Sequence, residues 1–322
     1  YGLKDSISVV VPKQYGEIFN YDTMMNLKYE GTLNEKKNLK DAINIDKRIK
    51  SSMMIKQTLM NGSKANEDKE VQVRLFVPES LDKFKDYVHL LDKDTEGNIK
   101  LTDDTVVITE KLAKLLNLSV GDTITVGDDA GTAVDLKISS IAENYVYNYV
   151  YISEKMYEEK FGEELKVNTV LLKLTEDGKT HEDEVAKDWL KKNDILVVTS
   201  TSYVISSFED IISSLNSVVV LMIVCAAALA FVVLYNLTNI NVAERIREIA
   251  TIKVLGFTEK ESANYVYREN IVLSIIGIAV GLVMGIFLSN YIVSTIEMDI
   301  VMFGRSIHGI SFVYAAAFTL VF

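Results

Sequence analysis

The chain has 322 residues, and its 45 acidic side chains outnumber its 34 basic ones, which gives a formal net charge of −11. This balance argues against a nucleic-acid partner, because a phosphate backbone requires a basic footprint. The single cysteine, Cys225, excludes an intrachain disulfide framework. We therefore expect a fold that depends on packing rather than on covalent cross-links.

The charge is unevenly distributed along the chain. Residues 1–215 contain 28 Lys and Arg against 38 Asp and Glu, a net charge of −10, whereas residues 216–322 contain only 6 and 7. About 200 residues are enough for one or two packed cores. The first part is therefore predicted to be an acidic domain that folds outside the membrane.

Strand and helix patterns interleave through the first 201 residues. Apolar, β-branched runs predict strands, and amphipathic runs predict helices. The predicted strands cover 71–77, 105–109, 119–126, 136–141, 168–174 and 194–199. The predicted helices cover 80–91, 110–116 and 182–192, and the polar residues 61–70 are predicted to form a loop. Interleaving of this kind predicts an α+β or α/β domain, with two subdomains.

Four tyrosines alternate with other residues between the predicted strands 136–141 and 168–174. Because side chains alternate across a strand, one strand would project Tyr145, Tyr147, Tyr149 and Tyr151 from the same face. These rings could stack on a glycan or line a peptide-binding cleft. The alternative is a half-buried aromatic strand without a ligand.

Two long uncharged runs predict membrane spans. Residues 215–237 and 270–296 contain no charged side chain, and each is long enough to cross a hydrocarbon core of about 30 Å. The apolar run 310–322 is expected to be a third span cut short by the end of the chain. A further segment is expected before Tyr1, so we expect the sequence to be a fragment.

The basic residues of the short loops predict the orientation. The loop 236–270 contains five, whereas 297–309 contains Arg305 alone, and short loops rich in Lys and Arg lie in the cytoplasm. The predicted segments are an extracellular domain at 1–201, a stalk and transmembrane helix at 202–237, a cytoplasmic coupling helix at 238–257, a transmembrane helix at 258–296, an outer loop at 297–309 and a truncated transmembrane helix at 310–322.

The loop between the spans has its own helical pattern. Apolar residues recur on one face of 242–250, and Gly256 stands where a left-handed C-terminal cap is expected. Spacing alone leaves two interpretations, an ordinary loop helix over the lipid headgroups or an element that contacts a partner. In the second span, Gly277, Gly281 and Gly285 share one helix face, which favours close packing against the first span or a second copy.

The loop sequence resembles a known family. Residues 241–256, N-V-A-E-R-I-R-E-I-A-T-I-K-V-L-G, are similar to the ER-x-REIA-x-x-K-x-LG pattern that follows the second transmembrane helix of FtsX-like ABC transporter permeases, the group that includes MacB-type transporters. Residues 269–285 resemble the next helix of that family. Residues 2–6 and 143–151 are similar to segments of the large multi-span permeases of Gram-positive bacteria.

The resemblance implies a non-catalytic membrane subunit of an ATP-driven complex. It implies no cofactor in this chain, since ATP and Mg would be bound by a separate ABC ATPase. In agreement, no G-x-x-x-x-G-K-[ST] phosphate loop is present. The residues that would contact the ATPase by this resemblance are Glu244, Arg245, Arg247, Glu248, Lys253 and Gly256. Membrane lipid, a second permease copy or pseudo-repeat, and an unknown extracellular peptide or protein are the other expected partners.

The expected function is export, extraction or resistance to peptide-like or hydrophobic compounds, at the cell membrane of a Gram-positive bacterium. A membrane-anchored receptor or scaffold that senses a peptide or controls a cell-wall hydrolase has the same architecture. A tethered hydrolase is disfavoured because no G-x-S-x-G turn occurs, and no metal site is proposed.

Overall fold

The computed structural model describes residues 2–65, 67, 69–95, 97–128, 131–244, 246–256, 258–304 and 309–321. The chain divides into two compact units. The mixed unit comprises residues 9–209 and 297–303, and the helical unit comprises residues 1–8, 210–296 and 304–322.

Ten strands form one sheet among the described residues of the mixed unit. In chain order they are β1 Thr23–Gly31, β2 Ile49–Lys64, β3 Glu70–Pro78, β4 Val107–Thr109, β5 Thr123–Gly127, β6 Ala133–Lys137, β7 Ser140–Ala142, β8 Tyr149–Tyr151, β9 Val167–Leu174 and β10 Ile195–Ser200. A π-helical segment, Pro12–Ile18, precedes β1. The helices described are α1 Gly2–Ser8, α2 Lys37–Ile45, α3 Leu81–Tyr87, α4 Glu110–Leu115, α5 Glu154–Phe161, α6 Glu176–Thr180, α7 Glu182–Leu190, α8 Thr201–Glu244, α9 Ile246–Val254, α10 Glu259–Ile296 and α11 Gly309–Val321.

The sheet is mainly antiparallel. Its strand order is β10-β1-β9-β2-β3-β8-β4-β7, and β5 pairs with both β2 and β6. The pairs β3–β8 and β4–β7 are parallel. An antiparallel sheet with helices packed on it is an α+β arrangement, the first of the two predicted alternatives.

The long strand β2 organises the centre of this sheet. Its first half pairs with β9, and residues 55–63 pair with β3 over nine consecutive positions. The end of β2, Asn61–Lys64, also pairs with β5. The predicted loop at 61–70 is therefore wrong at 61–64 and at 70, which belong to β2 and β3 and whose backbone forms ladder hydrogen bonds.

The sheet separates two kinds of packing. Leu75 and Val150 belong to the main core on one face, which also includes Leu112 and Trp189 from the helices. The alternate side chains of β3 and β8 point to the other face of the sheet, where they form an aromatic layer with Phe84 of α3. The strand members include Phe76, Tyr149 and Tyr151, and neighbouring ring centroids in the layer are 5.2 to 6.3 Å apart. Side chains that stand on this second face form the site described below.

The helical unit contains two helices of membrane-spanning length among its described residues. The candidate spans lie within Thr201–Leu237 of α8 and Ser274–Thr295 of α10, where the most apolar 18-residue windows have mean hydropathies of 3.0 and 2.1. By length and composition each can cross a membrane. Helix α8 runs without a break for 44 residues, from Thr201 to Glu244, which is about 66 Å at 1.5 Å per residue.

Candidate functional site

The loop between α8 and α10, residues 245–258, contains the short helix α9 and is called the hinge here. After the last helical residue, Val254, the amide of Leu255 donates to the Thr251 carbonyl at 3.1 Å. Gly256 follows with φ of +95°, a backbone conformation that glycine adopts without steric cost. The left-handed cap predicted at this position is therefore confirmed.

The predicted ATPase-contact residues fall in or beside the hinge. Glu244 ends α8, and Arg247 lies in the first turn of α9; both side chains are exposed. Glu248 and Lys253 belong to α9 by position, and Arg245 lies outside the described residues. Their contact with an ATPase stays a prediction.

The predicted glycine strip lies in α10. At Gly277, Gly281 and Gly285, a Cβ would meet no other atom within 4 Å among the described residues. The strip therefore leaves room for a close neighbour, and its packing partner stays a prediction.

The four tyrosines do not form one strand, so that prediction is wrong. Strand β8 covers only Tyr149–Tyr151, and Tyr147 has φ of +62°. Tyr145, Tyr149 and Tyr151 are buried, whereas Tyr147 is 36% exposed. The rings of Tyr147 and Tyr149 line one cavity. Binding by the four tyrosines together as a surface stays a prediction.

Two buried amide side chains explain this backbone. Gln14 Oε1 accepts hydrogen bonds from the amides of Tyr145 at 2.8 Å and Val146 at 3.1 Å, and its Nε2 donates to Asn144 Oδ1 at 3.0 Å. Asn144 Nδ2 donates to the carbonyls of Val146 and Tyr147, both at 2.8 Å. Side chains that hydrogen-bond nearby backbone compete with a strand ladder. The ladder consequently begins only at Tyr149.

A cavity of about 410 Å³ lies beside this segment, on the aromatic face of the sheet. It is called the Arg74 cavity, and its principal lining residues are Tyr15, Tyr21, Arg74, Tyr147, Tyr149 and Phe208. The guanidinium carbon of Arg74 lies 3.8 Å from the centroid of the Tyr147 ring, a cation–π contact. Strand pairing places Arg74 opposite Tyr149.

Burial keeps the phenols of this cavity protonated. It raises the pKa of Tyr15 to about 12, with Tyr147 adding to the increase and the positive charge of Arg74 opposing it. Burial likewise raises the pKa of Tyr21 and of Tyr149. Near neutral pH the three phenol side chains therefore carry no negative charge that could neutralise the Arg74 guanidinium.

Sequence reasoning missed Arg74 as a site residue. The available signal was a single arginine inside the apolar strand V-Q-V-R-L-F-V, with the same parity as Phe76. A charge next to an aromatic side chain on one face of a strand indicates either a partner across the sheet or a ligand.

Comparison with known proteins identifies the carboxyl-terminal part. The family model described as FtsX-like permease C-terminal matches residues 220–322, which include the hinge. No curated protein matches the chain. This family match confirms the resemblance predicted from the hinge motif.

Similar solved structures belong to extracytoplasmic domains. The periplasmic region of MacB from Actinobacillus actinomycetemcomitans is 12% identical, with a TM-score of 0.39, 62% of this chain covered and 97% of that one. The extracellular domain of the noncanonic ABC-type transporter YknZ from Gram-positive bacteria is 14% identical, with a TM-score of 0.37 and coverage of 56% and 100%. The family match covers the carboxyl-terminal third of the chain, which is similar to the C-terminal domain of FtsX-like permeases.

Proposed function

We propose that this chain is the permease subunit of an ABC transporter, in which a separate ATPase drives movement of α8, α10 and the mixed unit. The observation that carries the proposal is the family match over residues 220–322, whose hinge lies between two helices of membrane-spanning length. In this scheme α9 lies in the cytoplasm and the mixed unit lies outside the cell, as the distribution of Lys and Arg favours.

The hinge supplies the contact with the ATPase. Helix α9 and its flanks contribute Glu244, Arg245, Arg247, Glu248, Lys253 and Gly256. A helix that ends at a glycine cap presents its charged side chains on a short, defined element. Closure of the ATPase pair around ATP then shifts α9, and this shift biases the permease between two states.

The long helices transmit that shift. Helix α8 has no interruption between Thr201 and Glu244, so a displacement at its carboxyl end is carried along hydrogen-bonded backbone to its amino end. The consequence outside the cell is export, extraction or removal of a peptide-like or hydrophobic compound. ATP-dependent movement of substrate separates this function from that of a receptor or scaffold with the same architecture.

The first test is affinity purification of the full-length protein in nonionic detergent, followed by assay of the ATPase activity that co-purifies. An Arg247→Glu, Glu248→Arg exchange keeps the net charge but reverses the local pattern. We expect it to reduce the co-purified activity at least about tenfold, as expected when close charge pairs at an interface are reversed.

A matched exchange on α7, Glu184→Lys with Lys187→Glu, serves as the control. Both side chains are exposed and lie in the mixed unit, so the control should retain the native ATPase activity. Equal activity in the hinge variant and the control would contradict the proposed contact. Absence of an ATPase from every preparation would contradict the permease function as a whole.

A further inference from the structure

Arg74 is a partly buried cation without an anionic partner. No carboxylate among the described residues lies within 4.0 Å of its guanidinium. Its Nε is buried and has no acceptor within hydrogen-bonding distance in the same part of the chain. By contrast, Arg48 holds Asp46 at 2.9 Å and Asp188 at 3.0 Å. A buried charge and a buried donor without partners are both costly, so Arg74 favours an anion that the chain itself does not supply.

The shape of the cavity agrees with a ligand that has an apolar body. Tyr15, Tyr149 and Phe208 supply aromatic walls, and the volume of about 410 Å³ lies within the range of about 300–1,000 Å³ typical of small-molecule sites. Such sites combine mostly apolar walls with a few polar groups that fix orientation. Here the guanidinium is the charged group among the principal lining residues.

The backbone of Tyr147 is a second, independent observation. A bulky residue with φ of +62° is uncommon, and its backbone is strained. The conformation is held by the Tyr147 amide, which donates to the Ile300 carbonyl at 2.6 Å, and by Asn144. It places the ring over the Arg74 guanidinium, where the ring positions the fork of donors. Strain of this kind is concentrated at ligand sites.

The first turn of α8 adds positive potential. Thr201 and Val204 line the same cavity, and the amino end of a 44-residue helix carries a partial positive charge. The amino end of α8 and the guanidinium of Arg74 therefore both contribute positive potential to the same cavity.

From these observations we infer that the Arg74 cavity binds a small amphiphilic anion, with a carboxylate or phosphate on the Arg74 guanidinium and an apolar or aromatic body between the tyrosine rings. A guanidinium fork suits both oxyanions, because each can accept two parallel hydrogen bonds. The inference does not depend on the proposed transport function, since it concerns binding to the mixed unit alone.

The test is calorimetric titration of the full chain in lipid nanodiscs with four probes that share a naphthalene body or an anionic head. They are 2-naphthoate, 2-naphthyl phosphate, the uncharged 2-naphthalenemethanol and inorganic phosphate. We expect both naphthyl anions to bind more tightly than the alcohol or the bare phosphate. A preference between the two anions distinguishes a carboxylate ligand from a phosphate ligand.

Substitution of the arginine separates charge from shape. Arg74→Met removes the guanidinium at similar volume and should weaken binding of the favoured naphthyl anion at least about tenfold, with the alcohol changed less than about twofold. Arg74→Lys keeps the charge but loses the fork of donors. Its affinity for the favoured naphthyl anion should lie between that of the native chain and that of Arg74→Met. Lys50→Met removes an exposed charge from the same unit and should bind like the native chain.

Two results would overturn the inference. One is equal binding of the naphthyl anions and the alcohol to the native chain, since Arg74 would then contribute no recognition. The other is unchanged anion binding in Arg74→Met when its thermal unfolding midpoint matches that of Lys50→Met. Loss of ATPase association in the hinge variant, tested separately, bears on the proposed function and not on this site.

Discussion

At the scale of single residues, Gln14 and Asn144 satisfy backbone groups of residues 145–147, the segment that precedes β8. Both side chains are at most 2% exposed, and each uses its donor and its acceptor in the network. A fully satisfied buried network fixes one conformation, whereas a partly satisfied one is destabilising. The position of Tyr147 over Arg74 therefore depends on a glutamine that is 133 positions away in the chain.

Gln14→Leu tests this dependence. The substitution leaves the amides of Tyr145 and Val146 without their acceptor, and each unpaired buried donor costs about 1–3 kcal/mol. We expect the free energy of unfolding to fall by about 3 kcal/mol, measured by urea denaturation of the full chain in nonionic detergent. Gln72→Leu, at an exposed position on β3, is the control and should change it by less than about 0.5 kcal/mol. Similar values for the two variants would show that the network is not stabilising.

At the scale of elements, α6 is held against the loop that precedes β2. The Arg48 carbonyl accepts hydrogen bonds from the amide and the hydroxyl of Thr175, the residue before α6. The same carbonyl lies 2.2 Å from where a Cβ on Gly178 would stand. Only glycine allows this close approach of two backbones.

We therefore expect Gly178→Ala to be strongly destabilising. Backbone atoms must shift to admit the methyl group, and overpacking of this kind costs about 1–3 kcal/mol or more. Gly16→Ala makes the same chemical change where nothing lies within 4 Å, and its unfolding midpoint should stay close to the native value. Thermal unfolding followed by circular dichroism compares the two. Equal midpoints would rule out the close approach.

Sequence patterns predicted the elements whose residues are strongly β-branched. The runs at 71–77, 168–174 and 194–199 correspond to β3, β9 and β10. Strand β1 and the first half of β2 were missed, because their methionine, lysine and serine residues weaken the alternation of apolar and polar side chains that predicts a strand. The single strand predicted at 136–141 is instead parts of β6 and β7, since Ile138 and Ser139 hydrogen-bond elsewhere, to Asp122 and Val106.

The site was less accessible to sequence reasoning than the fold. The hinge was recognisable because its motif is contiguous and ends in a glycine with a positive φ. The Arg74 cavity joins residues that are up to 286 positions apart, from Tyr15 to Val301. The periodicity of apolar residues within one segment does not predict which distant residues meet, because the order of strands in the sheet decides which strands become neighbours. The isolated arginine in β3 was the only local sign.

At the scale of the whole molecule, α8 is the element shared by both units. Residues 201–209 belong to the mixed unit, where Thr201, Val204 and Phe208 line the Arg74 cavity. Residues 210–244 belong to the helical unit, and α8 ends at the hinge. Direct transmission along α8 from one end to the other therefore requires that the helix is mechanically intact between them.

Ser213→Pro tests that requirement under the proposed function. Ser213 is exposed in α8, before the uncharged run that begins at residue 215. Proline in a helix interior removes a hydrogen bond and costs about 3 kcal/mol, so it kinks the helix without touching the hinge. We expect the ATPase to co-purify with this variant at the native level, because the contact residues are unchanged.

The expected loss is in transmission, measured by hydrogen–deuterium exchange of residues 195–209 in the reconstituted complex. With the native chain and with the control Ser213→Ala, trapping the ATPase with ATP and vanadate should change the exchange of this segment. With Ser213→Pro the change should disappear, because a kinked helix absorbs the displacement locally. If the exchange of this segment still changed fully in the proline variant, the displacement would not be transmitted through α8. The coupling would then have to run through α10, which joins the hinge to the segment 297–303 of the mixed unit.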